Sequence, residues 1–285
     1  AKTTNCSRKM CQVILTRSQN EFGPKHLADE NCLYDSIQEE LILLSERQDS
    51  YPSESIGNGL SRFSLYDLLS CPDDNKVKLL VRLMVVTMKE YHGTMEGLEK
   101  KLRCLEETIG LEAGRWLLNY RASGYPAVSH SDIYRKVYDP HYRVIKWEFA
   151  NFFPVLSAVQ HLLFSRREPI VVSIDGRCGS GKSSLAKLIQ KVFSCNVFHM
   201  DDFYLPSQQR AATWESIPAG NMDLKRFREE VLLPAKAGRG VIYRPYDCQN
   251  CRLSEPIYFS PARLNVIEGS YSQHPLLADQ YDLKL

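Results

Sequence analysis

Apolar positions recur at helical spacing through the first half of the chain. Leu33, Ile37, Leu41 and Leu44 fall three or four apart, so Leu33 to Arg47 reads as a helix with one buried face. Val77 to Tyr91 is apolar on more than one face, which predicts a central helix. Met95, Leu98, Leu102, Leu105 and Ile109 repeat the spacing, and Gly110 follows where a helix would be capped. Pro154 to Phe164 reads as one more helix. Ser50 to Ser61 is rich in turn formers and is expected to be a loop.

The pattern changes at Pro169. Ile170 to Ile174 is a short β-branched run, as in a buried parallel strand. A helical pattern spans Ser183 to Phe193, and a second strand Asn196 to Met200. Val241 to Arg244 and Leu264 to Ile267 are further strand candidates. Strands alternating with helices predict an α/β fold with a parallel sheet flanked by helices. The expected division is therefore a mainly helical region, residues 1–167, of no assigned function, followed by an α/β domain, residues 168–285.

Composition narrows the classes. Apolar residues make up 44% and charged residues 25%, which excludes a wholly disordered or collagen-like chain. Lys plus Arg number 36 against 34 Asp plus Glu, and neither half is a charged arm. Bulk charge thus gives no reason to expect nucleic acid as a partner. The most apolar long window, Val77 to Met88, is interrupted by Lys78 and Arg82 and is too short to span a bilayer. Ala1 to Asn5 lacks the apolar core of a signal peptide. Nine scattered cysteines fit reduced thiols and a cytoplasmic location.

The first chemistry-bearing motif follows the first strand. Gly176-Arg177-Cys178-Gly179-Ser180-Gly181-Lys182-Ser183 fits G-x-x-x-x-G-K-[ST] at every fixed position, between a strand and a helix. Its glycines let successive backbone N–H groups curl around a phosphate, and the helix start adds unpaired donors. Lys182 would bridge the outer phosphates, and the Ser183 hydroxyl would ligate magnesium. Two further strands end in acids: Asn196 to Met200 leads to Asp201 and Asp202, and Leu264 to Ile267 leads to Glu268. Strand ends of this kind face the ligand crevice of a doubly wound sheet. Together they describe Mg-dependent phosphoryl transfer.

Four elements carry a resemblance: Gly176 to Ser184, His199 to Pro206, Tyr243-Arg244-Pro245-Tyr246-Asp247, and Val266 to Tyr271. In order and spacing they look like the uridine kinase group of P-loop kinases, related to phosphoribulokinase and bacterial pantothenate kinase. The resemblance covers roughly residues 169–285. It implies that Asp201 is the base for the acceptor hydroxyl, while Asp202 stands where the family has Ser. It implies that Tyr204 and Arg244 line the acceptor site, that Asp223 grips ribose hydroxyls, and that Tyr246 lies beside the base. Glu268 corresponds to an acid near Mg²⁺. It further implies ATP as phosphoryl donor and a small-molecule acceptor such as a nucleoside, with pantothenate or a sugar as the near alternatives. An oligomer is left open.

Two departures accompany the resemblance. Uridine kinases carry His five residues beyond the equivalent of Tyr246, where this chain has Cys251, which weakens the case for a pyrimidine. The chain after Pro169 is also short for the fold and stops at Tyr281 to Leu285, which reads as the start of a strand; a fragment at both ends is expected.

Other signals are read more plainly. Cys248 and Cys251 have metal-ligand spacing but no second pair nearby, so ordinary loop cysteines are expected. Cys178, inside the glycine-rich motif, is a candidate for oxidation. Arg115 to Trp147 mixes aromatic and basic residues, a composition that either holds a phospho-ligand or nucleic acid, or packs with its polar tips in water. His199 is read as a packing residue. A reading from another class treats the glycine-rich motif as a nucleotide switch and the helical region as a binding module.

Overall fold

The computed structural model describes residues 30–45, 52–69, 73–90, 94–126 and 130–285. Ala1 to Asn5, Arg47, Ser50, Tyr51 and Tyr91 lie outside the described residues. The chain divides into two compact units, residues 1–151 and 152–285. The division falls one helix earlier than the change in texture at Pro169.

The first unit holds α1 (Glu30–Leu44), β1 (Glu54–Gly57), β2 (Leu60–Ser64), α2 (Tyr66–Leu69), α3 (Asp74–Glu90), α4 (Met95–Ile109), α5 (Leu111–Ala122), α6 (Asp132–Tyr138), β3 (Tyr142–Lys146) and α7 (Trp147–Asn151). It is not purely helical. β1, β2 and β3 form a three-stranded antiparallel sheet, with β2 in the middle and buried along its whole length. The expected loop over Ser50 to Ser61 is thus half a hairpin. Asn58 and Gly59 both take positive φ, 50° and 71°, as a two-residue hairpin turn requires. α4 runs Met95–Ile109 as the spacing predicts; the Thr94 side chain caps its start and Gly110 its end. Leu98, Leu102 and Leu105 are buried with Leu117 and Tyr120 of α5.

The second unit is an α/β layer structure. It opens with α8 (Phe153–Ser165), then β4 (Ile170–Ile174), α9 (Lys182–Val192) and β5 (Asn196–His199). α10 (Leu224–Phe227) runs through a π-helical segment (Arg228–Leu232) into α11 (Leu233–Lys236). The remaining strands are β6 (Val241–Tyr243), β7 (Tyr246–Asp247), β8 (Arg252–Leu253), β9 (Ile257–Phe259), β10 (Leu264–Glu268) and β11 (Leu283–Lys284). β11, β4, β10 and β5 lie side by side in that order, all parallel. β4 and β10 are buried at every position, which is why both read as unbroken apolar runs. Burying each Val or Ile side chain contributes about 2 kcal/mol. Val241 to Tyr243 does not join this sheet. It pairs antiparallel with β9 in a separate ribbon, the chain between them forming the short β7–β8 hairpin.

Asp282 fastens β11. Its carboxylate, 6% exposed, takes Lys236 Nζ at 2.7 Å and the Val171 N–H at 2.9 Å, and Arg166 reaches it at 2.5 Å. The expected final strand therefore forms beside β4. Among the described residues no helix is long and apolar enough to cross a membrane.

Candidate functional site at the strand ends

Parallel register puts the carboxyl ends of three strands at one level. Glu268 pairs with Ile174 on one side and with His199 on the other. The loops leaving these positions must therefore meet above the sheet. From Ile174 the chain runs through Asp175 and the glycine-rich bend into α9. From His199 it turns through Met200 to Phe203, and from Glu268 through Gly269 to Tyr271.

Gly181 has φ +90° immediately before α9, a bend that an L side chain resists. Lys182, the first residue of α9, turns its ammonium back over the bend. Nζ donates to the carbonyls of Gly176 at 2.8 Å and Arg177 at 2.9 Å. The bend is also braced from outside. Asp175 accepts from the backbone N–H of Gly176 at 2.6 Å, Tyr271 at 3.2 Å and Gln273 at 2.8 Å, and Ser270 Oγ donates to the Gly176 carbonyl. One carboxylate thus joins the loops after β4 and β10.

Glu268 is the buried charge of the site. Its side chain is 8% exposed, with His199 Nδ1 2.6 Å from Oε1. Ser183 Oγ lies 3.1 Å from each carboxylate oxygen and donates to them. The His199 contact is the main cause that holds the Glu268 carboxyl below its ordinary range, opposed by burial. In return the carboxylate raises His199. A buried carboxylate beside a hydroxyl is a hard oxygen donor set, the kind that suits magnesium.

Asp201 and Asp202 are adjacent but differently placed. Asp201 is exposed and accepts from Tyr204 Oη at 3.1 Å. Burial, with Asp201 nearby, pushes the Tyr204 hydroxyl up to about 12, so it stays a donor. Asp202 turns inward and accepts from the buried Tyr243 hydroxyl at 2.7 Å. Gly269 keeps the two loops close. It has φ +142°, and a Cβ there would stand 2.6 Å from Met200 Cβ.

The other residues singled out from sequence form a layer beside Phe203. Asp223 caps α10 by accepting from the Arg226 N–H at 3.0 Å, and its carboxylate lies 3.6 Å from Arg226 Nε. The Arg226 guanidinium stacks 4.5 Å over the Phe203 ring and donates to the carbonyls of Arg244 and Asp202. The Arg244 side chain is spent on its own ribbon, donating to the carbonyls of Ser254 at 2.6 Å and Leu253 at 3.3 Å. Tyr246 is buried in β7. Cys178, Cys248 and Cys251 are exposed free thiols.

The glycine-rich bend, Lys182, Ser183, Glu268 and Asp201 therefore share one end of the sheet, as the strand-end argument predicts. Three contributors escaped that argument. His199 supports Glu268 rather than the core, Asp175 braces the bend, and Arg226 ties the Asp202 turn to the Arg244 ribbon. The signal for the first two was their place at the ends of predicted strands. Arg226 carried none.

Among the solved structures, the chain is similar to that of a possible uridine kinase from Bacillus stearothermophilus. The two share 22% identity with a TM-score of 0.40, over 47% of this chain and 79% of that one. No family model matches the chain, and none of the curated proteins does.

Proposed function

We propose that the second unit is a kinase that moves the γ-phosphate of ATP to a hydroxyl of a small molecule, with a nucleoside such as uridine as the acceptor class. The observation that carries this reading is the Ser183–Glu268 contact. It joins the helix start after a glycine-rich bend to a buried strand-end acid, and an exposed acid, Asp201, stands on the adjoining loop. The four quoted motifs, in their order, support the choice of acceptor.

In this reading the backbone N–H groups of Gly179 to Ser184 receive phosphate oxygens. Lys182 exchanges its two carbonyl partners for phosphate oxygens and offsets the charge that develops there. Magnesium, held by Ser183 Oγ and Glu268, supplies further charge neutralisation when bound. Asp201 accepts the proton of the acceptor hydroxyl, whose oxygen then attacks phosphorus in line. Tyr204 orients the Asp201 carboxylate by donating to it. His199 keeps Glu268 ionised and fixed.

Incubation of the full chain with ATP, magnesium and a panel of nucleosides, pantothenate and sugars, with products identified by mass, tests the reading. A phosphorylated acceptor is expected, and its formation should vanish in Asp201→Asn. ATP hydrolysis that no acceptor stimulates, and that survives Asp201→Asn, would instead establish the nucleotide-switch alternative.

A further inference from the structure

The aromatic and basic stretch of the first unit gathers around a cavity of about 450 Å³, lined by Glu54, Arg62, Tyr134, Tyr138, His141 and Tyr142 among others. A second cavity of about 350 Å³ shares Asp139, Pro140, His141 and Tyr142 with it and adds His130 and Arg135. Volumes of this order hold small-molecule ligands.

The walls form a ladder of rings. Tyr138 and Tyr134 lie 4.8 Å apart, and His130 stacks on Tyr134 at 4.5 Å. Tyr142 Oη is 3.0 Å from His130 Nε2, and Arg62 lies 4.7 Å over the Tyr142 ring. The open end of the ladder is Tyr138, half exposed.

Arg62 is the unusual member. Its side chain is 9% exposed, and its only ion pair among the described residues is Nη1 with Glu54 at 2.5 Å. Nε and Nη2, the edge that grips an oxyanion with two parallel bonds, are shielded from water and find no hydrogen-bond partner among the described residues. Leaving buried donors of a charged group unpaired is costly, so such a group calls for a partner. The Glu54 side chain is 47% exposed, so a carboxylate already reaches this guanidinium from the solvent side.

Most of the acids nearby are engaged. Glu40 holds Arg143 at 2.7 Å and His141, and Asp139 lies 3.1 Å from His141 Nε2. Arg135 is exposed and pairs with no carboxylate among the described residues. His130 is held below its ordinary 6.5, first by burial and then by Arg62 and Arg135 nearby.

We infer that this cavity is a binding site for a small aromatic anion, a planar ring carrying a phosphate or carboxylate. The anionic group takes the place of Glu54 at Nη1 of Arg62, Arg135 of the adjoining cavity adds positive charge, and the ring extends the Tyr134–Tyr138 stack. The inference is independent of the kinase reading, which concerns the other unit.

The test is calorimetry of the full chain with phenyl phosphate, in a Lys182→Ala background that silences the glycine-rich bend. Benzoate, phenol and inorganic phosphate serve as partial probes. Saturable binding of phenyl phosphate or benzoate is expected, at least tenfold tighter than phenol or phosphate. Arg135→Gln and Tyr138→Ala, both at exposed positions, should each weaken it about tenfold, near 1.4 kcal/mol. Glu54→Gln should tighten it, and Arg62→Lys, which keeps the charge but loses the fork, should abolish it. No saturable heat, binding indifferent to Arg135→Gln and Tyr138→Ala, or inorganic phosphate binding as tightly as phenyl phosphate would each overturn the inference.

Discussion

Ser183 Oγ stands 3.1 Å from both carboxylate oxygens of Glu268, a residue 85 positions further along the chain. The contact exists because β4 and β10 are parallel neighbours in register, so the helix after one strand begins beside the last residue of the other. If the pair holds magnesium, Glu268→Gln removes charge while keeping shape. Phosphoryl transfer should fall on the order of 100-fold, with the magnesium requirement shifted upward. Initial rates across a magnesium titration check this.

The two neighbouring acids predict opposite phenotypes. Asp201 faces solvent, so Asp201→Asn should cut transfer by roughly 10²- to 10⁴-fold and leave stability intact. Asp202 accepts from the buried Tyr243 hydroxyl. Asp202→Ala leaves that donor unpaired and should cost about 2 kcal/mol of stability. Kinetics and urea unfolding on both variants decide the ranking; a stable, active Asp201→Asn would remove the assigned base.

Gly269→Ala should destabilise the second unit by about 2 kcal/mol or more. The backbone there has φ +142°, and the new Cβ would stand 2.6 Å from Met200 Cβ. Because Gly269 follows Glu268 directly, nucleotide binding should weaken in parallel. Chemical denaturation and nucleotide titration measure the two effects.

The first unit offers a pH test. Arg121 donates to both oxygens of Glu99 at 3.0 to 3.1 Å, and Tyr125 Oη donates at 2.6 Å. The Arg121 bonds are the main cause that holds the Glu99 carboxyl below its ordinary 4.5. A lowered acid contributes stability that is present above pH 4.5 and is lost as pH falls through the lowered value. Glu99→Gln should therefore cost about 1 kcal/mol near neutrality. The gap to the parent should close as the pH drops below 4.5, and urea unfolding from pH 3 to pH 7 follows it.

Local signals reached different depths in the two units. α4 was legible because its apolar spacing and its Gly110 cap are contained within one stretch of chain. The glycine-rich bend was legible because positive φ and a following helix leave their mark on neighbouring residues. The β1–β2 hairpin reads as a loop in sequence, since its turn formers, Asn58 and Gly59 among them, mark the bend and not the strands. Its first strand is exposed at three of four positions, so apolar periodicity could not show it. Val241 to Arg244 reads as a strand, yet its partner is not legible. Strand character is local, and strand pairing is not.

The order of residues by itself determined the apolar runs of β4 and β10, the bend before α9 and the acids at the strand ends, since each depends on neighbours a few positions away. Only the tertiary structure decided that His199 serves Glu268, that Asp202 turns inward while Asp201 faces out, and that Arg62 ends buried beside Tyr142 with Nε and Nη2 unmatched among the described residues. Those outcomes rest on strand register and on burial. Both are settled by contacts between segments tens of residues apart, where a side chain's local preference carries no information about its eventual partner.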